Sequence, residues 1–313
     1  IPVVQVNDDF TPSNTYAWGV TQFDNIQQAI DVVDADGSII VHDGTYIENL
    51  IIEKPVSIIG TDKYNVIIDG NQSGTVLLID SNGVSISNIS VVNGSDWYPH
   101  AGIRIDSSVN SSITDCLIYD NVCQGICLNN TTYCHVDGNI FSNNYNELNI
   151  LDSQKNIVRN NSFLNNNWGC LWVSGVVAED YNHTIKENYI DGKPIKYYYN
   201  ISDVMFEQEN ITHLIIANAD NITIKNCNLT DGEGIHFAFV SNSSIEQNQI
   251  FDNYQTSIMF HNSVNNLIHE NVIQNNHRGM DLCLYNHHNT ISNNVIAHNN
   301  NLGIRSEERR VGK

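Results

Sequence analysis

Apolar and polar residues alternate along this chain in short runs that recur at a fixed interval. Cut before each Gly-Ile-like pair, the chain reads GIRIDSSVNSSITDCLIYDNVCQ, GICLNNTTYCHVDGNIFSNNYN and ELNILDSQKNIVRNNSFLNNNW. Later come GIHFAFVSNSSIEQNQIFDNYQT, SIMFHNSVNNLIHENVIQNNHR and GMDLCLYNHHNTISNNVIAHNNNL. A period of two within each run predicts strands, and three short strands per unit separated by Asn, Ser or Asp corners predict a coil. Ile103 and Ile105, Ile126 and Leu128, Leu148 and Ile150, Ile235 and Phe237, Ile258 and Phe260, and Met280 and Leu282 recur in register, so they stack into columns that form the core. The predicted fold is all-β, a single-stranded right-handed parallel β-helix of about ten turns of 22–23 residues.

Asn repeats as regularly as the apolar residues. Asn139, Asn161, Asn188, Asn248, Asn271 and Asn294 occupy one position, with Cys116 and Cys227 in equivalent places. Asn121, Asn144, Asn166, Asn253, Asn276 and Asn299 occupy another. Asn tolerates the left-handed corner conformation and stacks into amide ladders, so the pattern predicts a structural role for it. The segment 22–35 breaks the strand pattern: Ile26, Ala29, Ile30 and Val33 have helical spacing, Asp24 with Gln27 resembles a capping box, and Gly37 can end the helix. Such a helix would cover the first turn. Between 178 and 211 the repeat is interrupted by two strand-like runs around Gly192-Lys193-Pro194, which predicts a protruding hairpin. The organisation expected is one domain over 1–305 and a non-native tail over 306–313, where SEERRVGK breaks both repeat and composition. The sheet edge left after Gly303 is expected to pack on further sequence or another chain.

The net charge of −21, with only 14 Lys plus Arg, excludes nucleic acid and anionic membranes as ready partners. No apolar run approaches the roughly 20 residues of a membrane helix. Seven Cys (116, 123, 127, 134, 170, 227, 283) form no CxxC pair and no even set, and are expected to be core thiols. Asn-x-Ser/Thr sequons, as at Asn88, Asn110, Asn200 and Asn242, favour an exported chain, placed extracellularly, at the cell surface or in the periplasm.

The opening IQQAIDVVDADGSIIVHDGTYIENLIIEKPVSIIG, the segment IDGKPIKYYYNISDV, the stretch IIANADNITIKN and the Gly-Ile/Asn repeats up to Gly303 together resemble the NosD-like branch of parallel β-helix repeat proteins. The resemblance spans nearly the whole chain from Val3. It implies a surface protein related to carbohydrate-binding and sugar-hydrolase β-helices, and it brings copper handling into consideration. Its motifs are those of the scaffold, so they specify the fold more than the function.

Three constellations stand out on the predicted outer faces. Glu53, Asp80 and Asp106 fall on successive turns with Arg104 beside them, and carboxylates about 5 Å apart can share a proton for acid/base catalysis or chelate Ca²⁺. The plain alternative is a solvated acidic strip. His236, Met259, His261, Asp281 and Cys283 fall on three turns, a donor set suited to a soft metal such as copper, against the chance scatter of twelve His. Trp97, Tyr98, Trp168, Trp172, Tyr197 and Tyr198 offer stacking platforms for sugar rings, or else pack the predicted hairpin. Around Trp168 to Val173 the register leaves either Leu171 or Trp172 facing outward.

The multi-Asp, Gly-His-Gly and Arg-x-Lys elements of polygalacturonases are missing, and the catalytic Gln and Asp segments of pectin methylesterases have no counterpart around Asp115 to Gln124. Lyase-type Arg or Lys clusters are missing too. The sequence therefore points first to a glycan-binding or structural surface scaffold without catalysis. A polysaccharide lyase or glycoside hydrolase comes second and a copper-handling protein third.

Overall fold

The computed structural model describes residues 1–95, 99–165 and 169–306. The chain forms two compact units, Ile1–Val176 with Glu187–Asp191, and Val177–Lys186 with Gly192–Lys313. Both are built from parallel strands, and the right-handed β-helix fold counts about 11 turns against the expected ten.

In the first unit the strands fall on three parallel sheets, and the apolar columns stack as the repeat predicts. Ile39, Ile58, Ile86, Ile113, Val136 and Val158 pair in one row, and all are fully buried. Tyr46, Ile68, Val91, Ile118, Phe141 and Phe163 form a second row, in which the rings of Phe141 and Phe163 stack with centroids 4.9 Å apart. A six-stranded sheet carries the third row, through strands Leu50–Ile52, Leu77–Ile79, Ala101–Asp106, Gln124–Asn129, Asn146–Leu151 and Gly169–Ser174.

The second unit repeats the design. Phe206, Ile224, Ile245, Ile268 and Ile291 pair in register. So do Leu214, Ile235 and Ile258 in another sheet. Phe237 stacks on Phe260 at 5.2 Å. Of the segment 178–211, Lys193–Tyr199 is a rung of this unit, running parallel to Asn210–Asp220 from Ile195↔His213 to Tyr199↔Ala217.

Among the described residues, which leave out Asn166, the Asn columns are hydrogen-bonded ladders. Asn161 Oδ1 accepts from the backbone N–H and side-chain amide of Asn139 at 3.0 and 3.1 Å, while its own amide donates to the Val136 carbonyl at 2.9 Å. Asn248, Asn271 and Asn294 repeat the arrangement in the second unit. The left-handed corner belongs to the residue before each ladder position: Asn160, Asn143, Glu270 and Asn275 have φ of 56°, 57°, 55° and 58°. The two tasks expected of a single Asn are thus divided between neighbours.

The α-helix spans Ile26–Val32 and buries Ile26, Ala29 and Ile30. Its N-cap is Asn25, whose side chain accepts from Gln28 N at 2.9 Å, and not the predicted Asp24 box. Gln27 faces the sheet instead, its amide bonded to both main-chain groups of Ile51. The helix stops at Val33, four residues before Gly37, which opens the strand Gly37–Val41. Among the described residues no helix is long and apolar enough to cross a membrane. Ser306 closes the final strand, Leu302–Ser306, and the rest of the predicted tail, 307–313, lies outside the described residues.

Candidate functional site

Alternation on the six-stranded sheet of the first unit sends every second side chain outward, as strand geometry requires. One outward row is Ile51, Leu78, Arg104, Cys127, Asn149 and Trp172. The next begins with Glu53 and Asp80, which directly follow the paired Ile52 and Ile79, and continues through Asp106, Asn129, Leu151 and Ser174. The first predicted constellation therefore shares one face. Its members differ in state. Asp106 receives Arg104 Nε at 2.7 Å on one oxygen and the Asn129 amide at 2.9 Å on the other. Arg104 also donates to the Pro99 carbonyl at 2.9 Å. Glu53 and Asp80 stay exposed. Asp106 is thus committed to holding Arg104, which leaves the two exposed carboxylates as the groups open to a ligand.

Trp172 settles the ambiguous register. It pairs with Asn149 and is 37 % exposed, whereas Leu171 is buried. Between Arg104 and Trp172 the row is covered, because Cys127 and Asn149 are buried although they belong to the outward set. Burial pushes the Cys127 thiol up to about 12, so it is a protonated filler at neutral pH. Six of the seven Cys are buried, and Cys283 is half-buried. Trp97, Tyr98 and Trp168 lie outside the described residues.

The second predicted constellation also converges on one face, in the second unit. His236, Met259 and Asp281 pair in one row, and His261 and Cys283 in the next. The side chains have other employment. Asp281 is almost fully buried and receives Arg305 through Nε at 2.8 Å and Nη2 at 2.7 Å, while the Cys283 thiol donates to it at 3.1 Å. Burial raises that thiol to about 11. His236 and His261 pack edge-on against Tyr181, a fully buried ring presented by the short 3-10 turn Ala178–Tyr181. The Tyr181 hydroxyl lies 3.2 Å from His261 Nδ1. Among the described residues no group of three or more His, Cys, Asp or Glu is placed to hold a metal ion. The donor set therefore does not fit copper, since a guanidinium occupies the carboxylate and the Tyr181 ring is packed against both imidazoles. Nor does the acidic strip of the first unit supply the oxygen cage of Ca²⁺.

Around Tyr181 the second unit buries a polar cluster in which His236 and His261 are accompanied by His183, His213 and Glu233, three residues that the sequence pattern did not single out. Burial pushes His213 and His236 down to about 3 and His183 to about 4. His213 is therefore a neutral imidazole, 3.4 Å from the buried Glu233 carboxyl. The predicted sugar platforms Tyr197 and Tyr198 belong to this packing: Tyr197 donates its hydroxyl to the Tyr181 carbonyl, and Tyr198 lies on Phe206 at 5.2 Å. A faint signal was present, because His213 in THLII stands where the following turns of the repeat carry the small residues Gly234 and Ser257.

A family model described as "Right handed beta helix region" matches residues 56–211 and 196–311. No curated protein matches the chain in sequence. Among solved structures, the A-module of Azotobacter vinelandii mannuronan C-5 epimerase AlgE4 is 15 % identical, with 96 % of this chain and 97 % of that one covered and a TM-score of 0.47. The catalytic domain of a GH87 alpha-1,3-glucanase in complex with tetrasaccharides is 13 % identical over 90 % of this chain and 65 % of that one, TM-score 0.47. A pectin methylesterase in complex with a hexasaccharide is 11 % identical over 78 % of each chain, TM-score 0.40. At these identities the likeness concerns the fold.

Proposed function

We propose, from the premise that the chain belongs to the right-handed β-helix family, that it is a non-catalytic glycan-binding scaffold exported to the cell surface. One observation carries the reading. The outward side chains of six paired strands form two registered rows in the first unit, with the half-exposed Ile51 at one end and the partly exposed Trp172 at the other. Successive strands are roughly 4.8 Å apart, a spacing on which an extended polymer can make repeated contacts. Indole and aliphatic faces pack on the apolar faces of sugar rings, while Glu53, Asp80 and Asn129 offer hydrogen-bonding groups to hydroxyls.

The reading takes the helix Ile26–Val32 as the cap of the first turn. Glu48 accepts from the N–H groups of Ile26 and Gln27 at 2.8 and 3.0 Å, and Lys54 Nζ donates to the carbonyls of Asp31 and Val33, so both helix ends are tied to the sheet that follows. It takes Asp191 and Gly192, both at positive φ, as the tip of the inserted hairpin. A polysaccharide lyase or hydrolase using the acidic strip is the competing reading.

Affinity electrophoresis of the full chain against a polysaccharide panel tests the proposal. Retardation by at least one polymer is expected, and Trp172→Ala should weaken it about tenfold, or about 1.4 kcal/mol. Cleavage products that vanish in Asp80→Asn or Asp106→Asn would establish the enzyme instead.

A further inference from the structure

The helix Ile26–Val32 and the strand Leu50–Ile52 flank a groove of about 650 Å³ in the first unit, lined among others by Asp31, Asn49, Ile51, Glu53 and Lys54. That volume lies within the roughly 300–1,000 Å³ usual for small-ligand sites. The groove is continuous with the outward rows, because Ile51 and Glu53 are their first members.

Its walls are held before any ligand arrives. Ile51 sits on the first strand of its sheet, yet its N–H donates to Gln27 Oε1 at 2.9 Å and its carbonyl accepts from Gln27 Nε2 at 3.2 Å. The main-chain edge is sealed while the side chain remains 50 % exposed, an apolar floor fixed in place. Asn49 is anchored through its amide nitrogen to the Thr75 carbonyl at 2.9 Å, which leaves its oxygen as an acceptor. The Lys54 ammonium is held by the Asp31 and Val33 carbonyls at 3.1 and 2.6 Å.

The polar lining is therefore rich in acceptors, which complements a ligand whose polar groups are hydroxyl donors. Its charge disfavours an anion. The lining carries Asp31 and Glu53 against a single cation, Lys54, whose ammonium is taken by main-chain carbonyls, so a uronate carboxylate laid here would face Glu53 and Asp31, and then Asp80 along the row.

We propose that this groove is the end subsite for an uncharged hexopyranose of a neutral polysaccharide. The ring lies on Ile51, and its hydroxyls donate to Glu53 and the Asn49 oxygen. The inference rests on the glycan-binding reading above and adds the site and the class of sugar.

Isothermal titration of the full chain with neutral gluco- and manno-oligosaccharides, oligouronates and glucosamine oligomers tests it. Neutral oligosaccharides should bind in preference, and Glu53→Ala and Ile51→Asn should each weaken them about tenfold. Both positions are exposed, and an unchanged circular dichroism melt confirms that each variant is folded. Neutral binding left intact by both variants would remove the site while the glycan-binding reading stands. Preference for oligouronates or glucosamine oligomers would overturn the sugar class. No saccharide binding by the wild-type chain would overturn the glycan-binding reading itself, and this proposal with it.

Discussion

At each corner of the coil two adjacent residues do different work, and the difference is measurable. Asn276 is buried. Its oxygen accepts from the backbone and amide of Asn253 at 3.0 and 2.9 Å, and its amide donates to the Ile250 and Gln274 carbonyls and to Asn299. Asn276→Ala strands several of these groups away from water, and should cost about 2–4 kcal/mol. Its exposed neighbour Asn275 sits at φ 58°, where Gly loses nothing sterically, so Asn275→Gly should stay within about 0.5 kcal/mol of wild type. Urea denaturation of the two variants separates the ladder from the corner. Equal losses would mean that the column is not load-sharing in the way its hydrogen bonds imply.

The helix Ile26–Val32 is short enough that its ends decide its stability, since seven residues form few internal hydrogen bonds. Asn25 and Glu48 between them take the N–H groups of Ile26, Gln27 and Gln28. Asn25→Ala should therefore cost about 1 kcal/mol, read as a lower urea midpoint, while Asp24→Ala should be close to silent despite the capping-box spacing seen in the sequence. The contrast shows where the sequence was legible. Columns such as Ile39 to Val158 follow from period-two alternation repeated at one interval, a signal reinforced at every turn, and with them came the outward row that holds Glu53, Asp80 and Asp106, while the choice between Leu171 and Trp172 needed the structure. The cap was misplaced by one residue because Asp24 and Asn25 are both good caps, and Glu48, distant in sequence, favours Asn25. The His/Met/Cys grouping shares a face because its residues align at the repeat interval. Periodicity reports which residues align; it does not report that Arg305 will claim Asp281 or that Tyr181 will be laid against His236 and His261.

For the whole molecule the two units differ in what they bury. His183, His213, His236, His261 and His277, whose proton affinity burial lowers, all belong to the second unit. A depressed folded-state value means that the unfolded chain takes up protons first. The stabilising effect of keeping these rings neutral is complete above the ordinary imidazole value of 6.5 and is lost as pH falls from there toward the folded values, about 4 for His183 and about 3 for His213 and His236. At pH 5 the loss is on the order of 2 kcal/mol for each of these three rings, a large share of the 5–15 kcal/mol usual for a domain. Acidification from pH 7.5 to 5 should therefore weaken the second unit selectively. Hydrogen exchange, corrected for the intrinsic pH dependence of amide exchange, should show protection falling in strands such as Asn210–Asp220 and Asn228–Ser241. The ladder of the first unit around Asn139 and Asn161 should hold. Substituting His213 and His236 by Gln should flatten the pH response even if it lowers stability at pH 7.5, because the response depends on the titrating ring and not on the packing it provides. A uniform loss of protection across both units would show that the buried imidazoles do not govern acid stability.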